Sequence, residues 1–142
     1  AIDYSVAYSE SFEIDRDNIL QCTLNTMHKC LNNLKTNVDI ILVDGNHFND
    51  YYNKENKLIP HRCIIGGDDT NKSIAAASIL AKTHRDEYIQ NLCEENEKLK
   101  RYNIHNNMGY GTQAHIDGIK KYGIIDGHRL TFGICKKKSL FI

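Results

Sequence analysis

Segment 66–88, with the sequence GGDDTNKSIAAASILAKTHRDEY, constrains the fold of this chain more than any other part. Its Gly-Gly pair favours a turn, and the small residues at 75–78 then favour a helix with little side-chain bulk. Such a helix can lie very close to its neighbours. It carries a basic and an acidic residue, Arg85 and Asp86, where we expect it to emerge from the packed interior. The segment therefore predicts a closely packed helix that holds a reactive side chain in a fixed position. The alternative is a small-residue core helix with a solvated end.

Three short segments predict β-strands. Residues 2–8 alternate loosely between apolar and polar side chains. The nearly unbroken apolar run at 38–43 is typical of a strand buried on both faces, and it stops at the turn-forming triplet 44–46. A further strand is expected at 62–65, whereas the polar stretch at 49–56 predicts turns.

Helical patterns separate these strands. Apolar residues every three or four positions predict an amphipathic helix at 17–35. A long helix is expected at about 72–100, bent or broken near Thr83, and a last one at Gln113–Tyr122, which Thr112 can cap. Strands that alternate with helices imply an α/β domain with a mixed sheet.

Composition limits the classes of protein to which the chain can belong. The sequence has no apolar run of 18 residues, so we expect no membrane span. Its five cysteines are odd in number and form no C-x-x-C pair, which indicates reduced thiols in a cytosolic or nuclear compartment.

Charge is unevenly distributed although the formal net charge is zero. Residues 98–142 contain nine lysines and arginines but two aspartates, so the remainder carries nine basic and sixteen acidic residues. A basic end beside an acidic remainder suits a protein that binds phosphates on one surface and metal ions in an acidic pocket. Uneven solvated charge with a basic tail is the alternative.

Four motifs together indicate a family. I-I-L-V-D-G-N at 40–46, I-A-A-A-S-I-L-A-K-x-x-R-D at 74–86, M-G-Y-G-T at 108–112 and H-R-L-T-F at 128–132 occur in this order. Their order and separations resemble ribonuclease HII, the enzyme that cuts the RNA strand of RNA–DNA hybrids. The resemblance implies an α/β fold of the ribonuclease H-like type, with a mixed sheet flanked by helices.

The resemblance also implies a division of the chain. The family opens with a strand that carries D-E-A-G-R-G and two further active-site acids, and this motif is not in the sequence. We therefore expect an N-terminally incomplete catalytic domain at 1–135 and a basic tail at 136–142. A chain without half of the carboxylates should be inactive in isolation, and its sheet should have an unpaired edge.

Two aspartates are the candidate catalytic and metal-binding residues. Asp44 follows a predicted strand directly, a position that lies in the ligand crevice of open α/β sheets, although it can also simply shape the turn. Asp86 shares a helix face with Ile79 and Ile89, which predicts an inward-facing carboxylate, and an ion pair with Lys82 is the alternative. The resemblance maps both aspartates onto metal ligands, and hard carboxylate oxygens suit Mg²⁺ or Mn²⁺.

A second group of residues is expected to bind the substrate. Tyr110 lies between Gly109 and Gly111, and glycines let a backbone approach a ligand closely. The resemblance implies that this tyrosine packs where RNA changes to DNA, although a surface tyrosine on a turn is the alternative. Three basic residues are candidates for phosphate contacts or, alternatively, for structural ion pairs: Lys82, Arg85 and Arg129.

The sequence thus predicts a metal-dependent endoribonuclease that cleaves RNA–DNA hybrids and ribonucleotides embedded in duplex DNA. We expect a cytoplasmic monomer that uses Mg²⁺ or Mn²⁺. The alternatives are a catalytically inactive nucleic-acid-binding relative or fragment, and an α/β scaffold without a ligand. The seven histidines show no zinc-site spacing, and a structural hydrogen-bonding role is expected for His128.

Overall fold

The structure of the chain, a computed structural model, describes residues 2–139. In chain order the helices are α1 (Ser11–Asp17), α2 (Ile19–Asn33), α3 (Gly67–Thr70), α4 (Lys72–Glu95), α5 (Ile104–Asn107), α6 (Gln113–Tyr122) and α7 (Gly133–Ser139), with a 3₁₀-helix at Glu97–Tyr102. The strands are β1 (Ile41–Asp44), β2 (Tyr51–Tyr52), β3 (Leu58–Ile59) and β4 (His61–Ile64). Parallel and antiparallel strand pairs flanked by helices confirm the predicted mixed α/β class.

The chain forms two compact units, and all four strands lie in the first. This unit consists of Ala1–Ser9 and Asn18–Lys82. Strand β1 pairs in parallel with β4, and β2 pairs antiparallel with β3 as a small separate sheet. One face of α2 and both sheets share a core, in which the buried residues are Leu24, Ile41, Val43, Phe48, Tyr51 and Ile59.

The second unit consists of Glu10–Asp17 and Thr83–Ile142, and its described part contains helices and loops but no strand. Its core contains the buried residues Cys93, Leu99, Tyr102, Ile104, Ile119 and Cys135. Gly118 of α6 allows a close approach, because a Cβ atom there would lie 2.9 Å from the carbonyl oxygen of Arg101 and from the Cα atom of Tyr102. The Asp15 carboxylate joins α1 to this unit by accepting hydrogen bonds from the N–H groups of Leu130 and Thr131 at 2.7 and 2.9 Å.

The strand predicted at 2–8 is wrong. These residues have no regular secondary structure, and Ile2 and Tyr4 are 97% and 60% exposed. Alternation alone does not make a strand, because the backbone needs a partner strand for its hydrogen bonds, and no described strand pairs with this segment. The segment is held instead by the Asp3 carboxylate, which accepts hydrogen bonds from the N–H groups of Lys35 and Thr36.

Other boundaries also differ from prediction. Strand β1 is shorter than the apolar run at 38–43, and Leu42 is only partly buried. The turn-rich stretch contains β2, and α7 was not predicted at all. Helix α4 continues without a break through Thr83 and ends at Glu95, before the expected end near residue 100. Of the tail expected at 136–142, residues 140–142 lie outside the described residues, and the rest belongs to α7.

The small-residue part of α4 was expected to pack closely against neighbouring elements. Within the described residues this expectation is also wrong. Ala76, Ala77 and Ser78 are exposed, and Ile79 is 66% exposed. Burial is confined to the ends of the helix, where Ile74 and Cys93 contribute to separate units. Helix propensity explains why these residues form a helix, but it does not specify which neighbours cover it.

The described residues include no helix that is long and apolar enough to cross a membrane. All five cysteines are free thiols.

Candidate functional site

Asp44 is the last residue of β1, as the sequence predicts. Its Oδ1 atom accepts a hydrogen bond from the Gly67 N–H at 2.9 Å, and Gly45 donates to the carbonyl of Ile64 at 3.0 Å. The carboxyl ends of the two parallel strands therefore place Asp44 beside the Gly-Gly turn. The carboxylate is exposed to solvent, and its second oxygen makes no hydrogen bond within the described residues.

The two glycines of that turn have different physical roles. Gly66 has φ +65°, a left-handed conformation that favours glycine. Gly67 is buried, and a Cβ atom there would lie 2.6 Å from the Cδ1 atom of Ile74. The turn can therefore bring the Gly67 N–H to Asp44 while the following chain enters α3.

Asp86 and Arg85 are neighbours on α4, in the second unit. Their side chains are 29% and 36% exposed, and Arg85 Nη1 lies 3.8 Å from Asp86 Oδ1. This separation is too long for a hydrogen bond, and adjacent helix residues do not face each other. The sequence predicted that the face of α4 around Asp86 points inward. This prediction is wrong at Ile79, which is 66% exposed. Asp86 is thus half-buried beside a cation.

Arg85 also contacts the Tyr110 loop (residues 109–111). The Arg85 guanidinium carbon lies 4.8 Å from the centre of the Tyr110 ring, within cation–π range. Gly109 has φ +78°, and a Cβ atom there would lie 3.6 Å from Arg85 Nη2. Arg85 Nη1 is buried and has no hydrogen-bond partner among the described residues. The structure therefore brings Arg85, Gly109 and Tyr110 together, and Asp86 is the next residue after Arg85 on α4.

The backbone of the Tyr110 loop is fixed although its ring is 56% exposed. The Tyr110 N–H donates to the Asn107 carbonyl at 2.9 Å, and the Tyr110 carbonyl accepts from the Thr112 N–H at 2.8 Å. The buried Asn107 side chain accepts from the Gly109 N–H at 2.9 Å. Thr112 caps α6 as predicted, by accepting from the His115 N–H. An aromatic ring is thus presented to solvent on a well-anchored loop.

Arg129 lies apart from these contacts. Its guanidinium carbon is 5.3 Å from the Phe132 ring centre, and its charge acts on Asp15. Burial raises the pKa of Asp15, but hydrogen bonds from Thr131 and Leu130, together with Arg129, bring that pKa below its ordinary value. These contacts favour a structural role for Arg129, and its contact with phosphate stays a prediction.

A pair of histidines beside the loop was not identified from the sequence. His115 Nδ1 lies 3.0 Å from the Tyr110 carbonyl oxygen, and His115 Nε2 lies 3.1 Å from His128 Nε2. His128 Nδ1 contacts the backbone of Ile125, as expected for a structural hydrogen-bonding residue. Burial lowers the pKa of His128, the Ile125 hydrogen bond raises it, and His115 lowers it further, for a net decrease. Zinc-site spacing in the sequence does not indicate such a pair, because the two imidazoles contact backbone groups and each other.

The two candidate metal ligands lie in different units, Asp44 in the first and Asp86 in the second. Their convergence on one metal ion stays a prediction. Lys82 is the last residue of the first unit, and its contact with phosphate also stays a prediction. No group of three histidine, cysteine, aspartate or glutamate residues that could hold a metal occurs within residues 2–139. The donor chemistry fits Mg²⁺ or Mn²⁺, because both candidates offer carboxylate oxygens, but these two residues supply only part of a coordination shell.

Comparison with known proteins identifies close relatives. The model of the Ribonuclease HII family matches residues 1–135. The chain is 48% identical over 132 residues to the Ribonuclease HII of Christiangramia forsetii, covering 93% of this chain and 63% of that protein. It is 43% identical over 129 residues to the Ribonuclease HII of Staphylococcus saprophyticus, covering 91% and 46%. For the Ribonuclease HII of Francisella tularensis subsp. novicida the identity is 41% over 131 residues, covering 91% and 65%. The chain spans less than two thirds of each of these relatives.

Proposed function

Because this chain belongs to the ribonuclease HII family, we propose that its protein is a metal-dependent endonuclease that cleaves RNA within RNA–DNA hybrids and ribonucleotides embedded in duplex DNA. The protein acts as a cytoplasmic monomer. In this proposal the described chain contributes two metal-binding carboxylates, Asp44 and Asp86, and the loop that recognises the ribose.

The observation that carries the proposal is the contact between Arg85, the chain neighbour of Asp86, and the Tyr110 loop. An exposed aromatic ring on an anchored backbone can stack on a sugar or base. The Arg85 guanidinium lies against that ring, and the side chain is 36% exposed, so it can also contact a phosphate oxygen. In this proposal Asp86, the residue after Arg85 on α4, supplies a metal ligand.

The catalytic ions are Mg²⁺ or Mn²⁺, with Asp44 and Asp86 among their ligands. When bound, such ions prepare an attacking water and stabilise the leaving oxygen of the phosphodiester. The hydrogen bond from the Gly67 N–H fixes the orientation of the Asp44 carboxylate, which supports this assignment. Lys82, Arg85 and Arg129 offset the negative charge of the nucleic-acid backbone.

The alternative function is nucleic-acid binding without hydrolysis. It uses the same Tyr110 loop and the same basic residues, and it differs in requiring no complete metal site. Cleavage assays separate the two functions directly.

The test uses full-length protein and duplex DNA that contains a single ribonucleotide. We expect a nick at the ribonucleotide in Mg²⁺ or Mn²⁺, an intact all-DNA duplex, and no cleavage in EDTA. The change Asp44→Asn should reduce kcat by about 100-fold or more, since it removes a charged metal ligand but keeps the side-chain shape. The isolated 142-residue chain should be inactive.

Asp50→Asn is the matched control, because Asp50 is an exposed aspartate in the same unit and the change in charge is identical. Continued cleavage in EDTA, or equal activity of the two variants, would rule out the metal mechanism. Binding of the duplex without any cleavage would establish the alternative function.

A further inference from the structure

Two exposed cations of the second unit lie against one aromatic ring. The Arg101 guanidinium carbon is 5.6 Å from the centre of the Tyr122 ring, and Lys121 Nζ is 5.0 Å from it. Both distances are within cation–π range. The three residues form a surface, the Tyr122 surface (Arg101, Lys121 and Tyr122), to which the 3₁₀-helix and the last turn of α6 both contribute.

The two cations of this surface have no acidic partner in the described part of the chain. The neighbouring Lys100 and Lys120 each pair with an acidic residue three positions earlier, at 2.9 and 3.7 Å. By contrast, no carboxylate within residues 2–139 lies at ion-pair distance from Arg101 or Lys121. A bound anion would therefore reduce the repulsion between these two positive charges.

The ring of the Tyr122 surface is anchored in the core of the second unit. Tyr102, which is 1% exposed, packs edge-on against Tyr122 with ring centres 6.2 Å apart. Gly118 lets α6 lie directly on the backbone of Arg101, because a Cβ atom at residue 118 would be 2.9 Å from the Arg101 carbonyl oxygen. The Tyr122 ring is still 44% exposed. Close packing therefore holds an accessible ring beside both cations.

We propose that the Tyr122 surface binds the phosphate backbone of duplex nucleic acid, as a contact additional to the Tyr110 loop. The inference rests on the proposed function, which makes a duplex the substrate. Arginine offers a planar fork of hydrogen-bond donors and lysine a flexible ammonium group, and both bind phosphate oxygens. Contacts of this kind position a duplex without reading its sequence.

The two contacts lie at opposite ends of α6. Tyr110 precedes this helix and Tyr122 is its last residue. The 10 residues of α6, at 1.5 Å each, span about 15 Å, which corresponds to about four to five base pairs at 3.4 Å per base pair. A duplex bound at the Tyr110 loop should therefore reach the Tyr122 surface only if it extends that far beyond the ribonucleotide.

Binding of an all-DNA duplex in EDTA tests the surface without any cleavage. In full-length protein, Arg101→Gln and Lys121→Gln should each raise Kd by about threefold to tenfold at about 0.1 M salt. Each should also reduce the slope of log K against log salt concentration by about one, since one phosphate contact is lost. Tyr122→Leu removes the ring but no charge, so Kd should rise while the slope stays unchanged.

Lys54→Gln is the matched control, because Lys54 is an exposed lysine in the other unit and the change in charge is identical. It should leave the slope nearly unchanged. Lys121 also lies in the last turn of α6, where a cation stabilises the helix, so melting temperatures of all variants identify losses that come only from stability. Slopes for Arg101→Gln and Lys121→Gln that equal the Lys54→Gln slope would overturn the proposal.

The position of the ribonucleotide in the duplex gives an independent measurement. Lys121→Gln should lower kcat/KM when the ribonucleotide is central. The loss should disappear when the ribonucleotide lies about two base pairs from one of the two ends, because that duplex does not reach the surface. An equal loss at every position would overturn the proposal. If the full-length protein cleaves no substrate, the proposed function fails, and the salt slopes still decide whether the Tyr122 surface binds phosphate.

Discussion

Tyr110 combines a fixed backbone with an exposed side chain. Its N–H and carbonyl groups are both hydrogen-bonded, and its ring contacts the Arg85 guanidinium at 4.8 Å. In the proposed function this residue recognises the sugar at an RNA–DNA junction, where the 2′-hydroxyl distinguishes the two nucleic acids.

Replacement of Tyr110 should separate recognition from catalysis. Tyr110→Ala removes stacking worth about 1–3 kcal/mol, so kcat/KM should fall by about one to two decades. The loss should be larger for one embedded ribonucleotide than for a long hybrid, which offers many alternative registers. Steady-state kinetics on the two substrates measures the difference.

Tyr52→Ala provides the control, because Tyr52 is 52% exposed and lies in the other unit. It should leave both kcat/KM values nearly unchanged. Equal losses of the Tyr110 variant on the two substrates would show that Tyr110 is an ordinary loop residue.

At the level of elements, local signals in the sequence predicted local structure. The apolar periodicity of α2 and the side-chain cap of α6 at Thr112 act within a few residues, so these helices form nearly where the sequence indicates. The unpaired segment 2–8 and the exposed face of α4 depend on distant partners, which periodicity does not specify. The position of Asp44 was predictable because a strand end is a local feature. The histidine pair was not, since it depends on how the chain after α6 folds back to bring His128 to His115.

Substitution of alanine for two helical glycines, Gly118 and Gly67, should lower the stability of the protein by different amounts. Gly118→Ala should destabilise the protein by about 1–3 kcal/mol, because the added methyl group would meet the backbone of Arg101 and Tyr102 at 2.9 Å. Gly67→Ala should cost less, since its closest contact, at 2.6 Å, is the end of the Ile74 side chain, which can rotate away. Urea denaturation of both variants measures the free energies of unfolding. A larger loss for Gly67→Ala would contradict the packing described for α6.

For the molecule as a whole, acid stability should depend on Asp15. The folded-state pKa of Asp15 is below its ordinary value of 3.8, so the carboxylate contributes stability above that pH. The contribution is lost as the pH falls from about 3.8 through the lower folded-state pKa. Asp15→Asn should therefore lower stability by about 1 kcal/mol at neutral pH, and the difference from the unmodified protein should shrink in acid.

Thermal melts of Asp15→Asn between neutral pH and acid check this expectation, with Asp39→Asn, at an exposed aspartate, as the control. A difference that stays constant over the whole pH range would mean that the lost stability has a cause other than the ionised carboxylate.

The link between Asp15 and Thr131 also has a consequence for the order of folding. The two residues are 116 positions apart, and the second unit combines Glu10–Asp17 with Thr83–Ile142. Most of the first unit lies between these segments, and its core residues from Leu24 to Ile59 are all synthesised before the second unit can close. Contacts between residues so distant in sequence form slowly, because a long loop must first be closed. On the ribosome, α1 must therefore remain without these partners until Leu130 and Thr131 have been synthesised.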